Sequence, residues 1–165
     1  LRDDPSYITN KKNGGKIVWR CPFYFNWKSV LRRCYSERCL QKHPTYRGCS
    51  VCEEWKTFSN FMAWMKTQPW EGKQLDKDIL VPGNKVYSPE TCVFVSGNLN
   101  RLLNNNNTRY IGYYYTPEEA HEAYKKERSK YILEIAQNLT EDDTSDIEKT
   151  RQGLIRHVKE GLIFK

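Results

Sequence analysis

The chain has no run of about 18 consecutive apolar residues, the length at which a membrane-spanning helix is expected. It also lacks a secretory signal at its start, where Leu1, Arg2, Asp3 and Asp4 are polar or charged, so a cytoplasmic location is the expectation. Histidine is scarce: only His43, His121 and His157 occur, and none lies between residues 74 and 103. Acid is nearly missing from residues 11 to 43, where Glu37 alone faces Lys11, Lys12, Lys16, Arg20, Lys28, Arg32, Arg33, Arg38 and Lys42. Hydrophobic residues make up 38% of the chain, but 5 Trp and 11 Tyr are among them, and rings of that size let a modest core close. At 165 residues the length suits one domain, or one domain with a small appendage.

The charge is segregated as well as positive. The basic stretch favours a polyanionic partner, although a solvated basic face on an ordinary enzyme would have the same composition. Glu141, Asp142, Asp143, Asp146 and Glu148 form a local acidic run, a candidate surface for a protein partner. Six cysteines in a cytosolic chain should stay reduced, so no disulfide framework is expected. Cys34, Cys39, His43, Cys49 and Cys52 lie close in sequence, and Cys49-x-x-Cys52 has knuckle-like spacing. A structural zinc would need a second such pair, which is wrongly spaced here, so zinc is not expected.

The pattern of elements points to an α+β fold. Asn13-Gly14-Gly15 between basic residues reads as a flexible arm or loose hairpin. Trp27, Val30, Leu31, Cys34 and Tyr35 predict a helix over 26–40, with Lys28, Arg32 and Arg33 off its apolar stripe. Trp55, Phe58, Phe61, Met62 and Met65 predict another over about 52–67. Both stripes are read as core. Gln74 to Leu80 and Thr91 to Val95 read as strands around a Pro82-Gly83-Asn84 turn, followed by a helix from Gly97 to Leu103 capped by Ser96. Asn104 to Asn107 should be a linker and Tyr110 to Tyr115 a short strand. Thr116-Pro117-Glu118-Glu119 then starts a helix running to about Gln137, its cap, φ and reciprocal side-chain bond all in agreement. Ile147, Leu154, Ile155 and Val158 predict a last helix closing near Gly161.

The strand–loop–strand–helix of residues 74–103 resembles the ββα-metal hairpin of phage-encoded HNH homing-type endonucleases, on Leu75-Asp76-Lys77-Asp78-Ile79-Leu80 and Tyr87-Ser88-Pro89-Glu90-Thr91-Cys92. Trp27, Arg33-Cys34-Tyr35, Cys49 to Trp55 and Phe58 to Trp64 resemble the same group. Tyr110-Ile111-Gly112-Tyr113 with Thr116 to Tyr124 is similar to the last strand and helix of an ethylene-response-type DNA-binding domain. The resemblance implies a helical, basic N-terminal half, a central ββα-metal-like hairpin and C-terminal helices. It divides the chain into a basic arm (1–22), an HNH-like domain (23–107) and a truncated ethylene-response-type strand and helix with a terminal helix (108–165). The domain's reading sheet is largely missing, so Ala120, Ala123, Tyr124 and Tyr131 are expected to pack the surviving helix on the hairpin. His121 is expected at the surface.

In such a hairpin a carboxylate and an Asn or His hold one Mg²⁺ or Mn²⁺ against the scissile phosphate, and a base beside the carboxylate activates water. The resemblance places Asp76 and Asn100 as metal ligands and Asn98 as the residue steadying the loop. Lys77 stands where His is expected, and an ammonium would repel a bound metal. Asp78, on the face of Asp76 if the strand continues, is a candidate second ligand or substitute base. The resemblance therefore implies a metal-dependent endonuclease or nickase acting on double-stranded DNA in a phage-infected bacterial cell. Lys11, Lys12, Lys16, Arg20, Lys28, Arg32, Arg33, Arg101 and Arg109 would contact the DNA. The alternatives are a catalytically inactive DNA-binding regulator or replication interferer, and a protein-binding inhibitor on the same scaffold.

Overall fold

Residues 10–14, 16–104 and 110–162 are described by a computed structural model of the chain. The fold is α+β, with six α-helices and three two-stranded sheets among the described residues. Two compact units are present: Leu1–Pro69 with Lys85–Glu90, and Trp70–Asn84 with Thr91–Lys165.

In the first unit, β1 (Asn10–Asn13) and β2 (Lys16–Arg20) pair antiparallel around Gly14, whose φ of +55° suits a residue without Cβ. Helix α1 (Pro22–Tyr35) starts earlier than its apolar stripe suggests, because Pro22 at the first position presets the helical φ. Extended backbone at Ser36 ends it and separates α2 (Glu37–Lys42), so the expected helix over 26–40 is two. The stretch expected as one helix over 52–67 is also divided. A short turn, Glu54–Lys56, carries the buried Trp55, and extended Thr57 precedes α3 (Phe58–Lys66). Phe58, Phe61 and Met65 form the buried stripe of α3. The Trp55 ring centroid lies 4.9 Å from that of Phe61 and 4.5 Å from that of Trp64, and Trp27 donates its indole N–H to the Trp55 carbonyl (2.7 Å). Rings in edge-on and tilted contact thus close this small core. Strand β3 (Ser50–Val51) pairs in parallel with β5 (Val86–Tyr87), and the Cys52 N–H continues the ladder to the Tyr87 carbonyl at 3.0 Å.

In the second unit, β4 (Lys73–Asp76) pairs antiparallel with β6 (Val93–Ser96), Lys73 opposite Ser96 and Asp76 opposite Val93. Helix α4 (Gly97–Asn104) follows at once, and the Ser96 hydroxyl accepts from the Leu99 N–H (3.0 Å), the expected cap. Helix α5 spans Pro117–Gln137 and α6 spans Ile147–Lys159. Thr116 caps α5 through the Glu119 N–H (3.2 Å), and Glu119 reaches back to the Tyr115 N–H (3.1 Å), one residue before the cap. The α5–α6 connection lies along β6: Ser96 N–H donates to the Asp143 carbonyl and Ser145 N–H to the Phe94 carbonyl, both at 2.7 Å. Val93, Phe94 and Val95 are therefore all buried. The core joins Ile79 and Leu80, β6, α4 and the two long helices through Leu99, Leu103, Ile132 and Leu154. Gly153 makes the closest approach; a Cβ there would lie 2.2 Å from the Ile79 carbonyl oxygen.

Two expected strands differ. The first ends at Asp76 rather than Leu80, because the Asp76 carboxylate bends the following backbone onto itself. Tyr110 to Tyr115 is not a strand, and it has no neighbouring strand to pair with among the described residues. Tyr113 and Tyr115 are almost fully exposed.

Candidate functional site

Asp76 closes β4 with its carboxylate turned to the backbone. One oxygen accepts the N–H of Asp78 (2.7 Å) and of Ile79 (2.9 Å), an Asx-type turn that fixes the loop entry. Burial pushes its pKa above the ordinary carboxylate value, against the pull of these two bonds. Lys77 is buried at 4% exposure. Its ammonium is held by the half-exposed Asp78 carboxylate and by the Asn84 carbonyl at 3.0 Å, while the Asn84 amide donates back to the Lys77 carbonyl at 2.9 Å. Asn84, read from sequence only as part of a turn, thus ties the two ends of the loop together. Asn98, expected to steady the loop, is exposed and accepts from Arg101 on the same helix (2.8 Å). Asn100 donates to Gln74 on β4 (2.9 Å), tying the helix to the first strand.

The hairpin also receives a histidine from outside. His157 on α6 is buried and donates its Nε2–H to the Asp78 carbonyl (2.7 Å), the oxygen being able only to accept. Burial lowers its pKa, although Asp78 and Asp76 lie near enough to pull it upward. Seventy-nine residues separate the two partners, so spacing in the chain gave no signal of this contact.

A divalent cation asks for carboxylate oxygens that are ionised and turned outward. Here Asp76 is desolvated with one oxygen bonded to two backbone N–H groups, and one oxygen of Asp78 and the Asn84 carbonyl hold the Lys77 ammonium. Among the described residues no three His, Cys, Asp or Glu side chains converge as a metal site. Lys77 places a positive charge against the Asp78 carboxylate. Cys34 and Cys49 are buried and Cys52 half-buried, with burial pushing the Cys52 thiol further towards its protonated form.

The basic residues of the first unit stand differently. Lys28 and Arg32 are exposed on α1, and Arg38 and Lys42 on α2. Arg33 is half-buried, its guanidinium 5.6 Å from the Tyr46 ring centroid and bonded to the Tyr87 phenol, whose pKa burial pushes far up. Arg32, Arg33, Arg38, Lys42, His43 and Tyr46 line a groove of about 510 Å³, and no acid lines it. Arg32, Arg38 and Lys42 form no ion pair among the described residues. Arg20 is exposed beside Phe25. Lys11, Lys12 and Lys16 lie on the β1–β2 hairpin, with only their backbone described, and Arg109 lies outside the described residues.

The acidic run is largely occupied with the fold. Asp143 accepts from the backbone and hydroxyl of Thr140, Asp146 caps α6, and Glu148 pairs with Arg151 at 2.8 Å. Among the described residues no helix is long and apolar enough to cross a membrane. No protein-family model, curated protein or solved structure matches the chain.

Proposed function

We propose that the chain is a DNA-binding protein built on an HNH-type hairpin, one that grips phosphates through its N-terminal unit and leaves the strands uncut. The acid-free groove between α1 and α2 carries this reading. Exposed guanidinium and ammonium groups such as those of Arg32, Arg38 and Lys42 are the chemistry that displaces counterions from a nucleic-acid backbone. The hairpin supports it from the other side, because Asp76, Lys77 and Asp78 satisfy one another and the loop. Such a protein would work as a regulator or replication interferer on DNA in a phage-infected bacterial cell.

Metal-dependent nicking is the second reading. It is favoured by the Gln74–Asn100 bond, which ties the strand of Asp76 to the helix of Asn100 as that chemistry requires. One experiment separates the two: supercoiled plasmid incubated with the protein and Mg²⁺ or Mn²⁺, alongside a mobility shift on the same DNA. The proposal expects a shift and no nicked product, with Lys77→His equally silent. Metal-dependent nicks that disappear in Asp76→Ala would replace it with the second reading.

A further inference from the structure

One face of α1 brackets two cations between two rings. Phe25, Lys28, Arg32 and Tyr35 recur at the three- and four-residue spacing that puts side chains on one side of a helix, over about 15 Å of its length. All four are exposed, Phe25 at 50% and Tyr35 at 54%. They line, with Leu31 and Ser36, a second groove of about 460 Å³ that has no acid in its wall. Arg32 and Ser36 also belong to the cationic groove, so the two are continuous.

Tyr35 is held in place at its far end, its phenol oxygen accepting the Val51 N–H at 3.1 Å, while its ring stays open. The Arg20 guanidinium sits 5.9 Å from the Phe25 ring centroid. A single exposed ring needs no explanation. Two fixed or flanked rings bracketing two cations in an acid-free groove are a stacking platform beside a phosphate track. In duplex DNA the base faces are already stacked on one another, so rings of this kind find partners only where bases are unpaired.

We infer that this face of α1 binds single-stranded DNA, with bases stacked on Phe25 and Tyr35 and the intervening phosphates held by Lys28 and Arg32. The inference rests on the DNA-binding reading and narrows its substrate. A labelled oligothymidine of about 16 nucleotides, long enough to fill such a site, and a duplex of equal length would be titrated with the full chain by fluorescence anisotropy at matched salt. The single strand is expected to bind more tightly than the duplex. Phe25→Ala should weaken the single strand about five-fold or more, the effect of losing one stacked base, and leave the duplex within about two-fold. Phe25→Trp should restore single-strand binding, which a mere loss of fold in the alanine variant would not allow one to mimic. If Phe25→Ala binds the single strand as well as the parent while duplex binding persists, the inference fails and the DNA-binding reading stands. If neither form binds, both fail.

Discussion

The Nε2–H of His157 and the ammonium of Lys77 both end on the loop that follows β4. Burial lowers the His157 pKa, so the folded chain keeps the ring neutral where an unfolded chain would take up a proton. Its contribution is present above the ordinary histidine pKa of about 6.5 and is lost as pH falls below that value. Asp76 acts in the opposite sense. Its pKa is raised, so its contribution is greatest below the ordinary carboxylate pKa and is lost as pH rises through the folded value. The interval from about pH 7.5 to 5.5 spans the ordinary histidine pKa, so the His157 contribution is read there by comparison with a variant that lacks the ring. Urea unfolding should show the parent losing stability over that interval and His157→Gln losing clearly less. Equal losses in both would show that His157 does not carry the acid sensitivity.

The elements differ in how far their causes were local. Thr116, Pro117 and Glu119 announced α5, and its observed bounds match the predicted ones, because cap, φ and the Glu119 back-bond to Tyr115 all lie within five residues. Thr116→Ala should cost about 1 kcal/mol in denaturant unfolding, the usual worth of such a cap. The break at Ser36, the division before α3 and the early end of β4 were not legible, since each depends on a particular bond or backbone bend rather than on periodicity. Of the candidate site, the residues of the hairpin were legible but their engagements were not: Asn84 and His157 act through contacts 7 and 79 residues away. Gly153 belongs with these. Nothing in sequence marks a helix position that meets a carbonyl oxygen at 2.2 Å from its missing Cβ. Gly153→Ala should destabilise the second unit by about 3 kcal/mol, since backbone rather than a movable side chain stands in the way. A change in midpoint equivalent to less than about 1 kcal/mol would mean that α6 can shift without loss.

At the scale of the molecule the excess positive charge is concentrated where the phosphate contacts are proposed. The net charge is +7, and residues 11–43 hold nine cations with one acid. In the first unit Arg32, Arg38 and Lys42 form no ion pair among the described residues, whereas in the second Asp143, Asp146 and Glu148 are held in caps and pairs. That division makes binding and loop chemistry separable, so substitutions at Asp76 or His157 should leave the affinity for DNA within about three-fold if the fold is kept, because phosphate contacts carry most of it. The decisive measurement is the salt dependence of binding to one duplex, for the parent and for Arg32→Ala/Arg38→Ala/Lys42→Ala. Each phosphate contact contributes about 0.9 to the slope of log affinity against log salt, so the triple variant should lose about two to three units of slope and bind all sequences more weakly. An unchanged slope in a folded triple variant would contradict the groove between α1 and α2 as the phosphate grip.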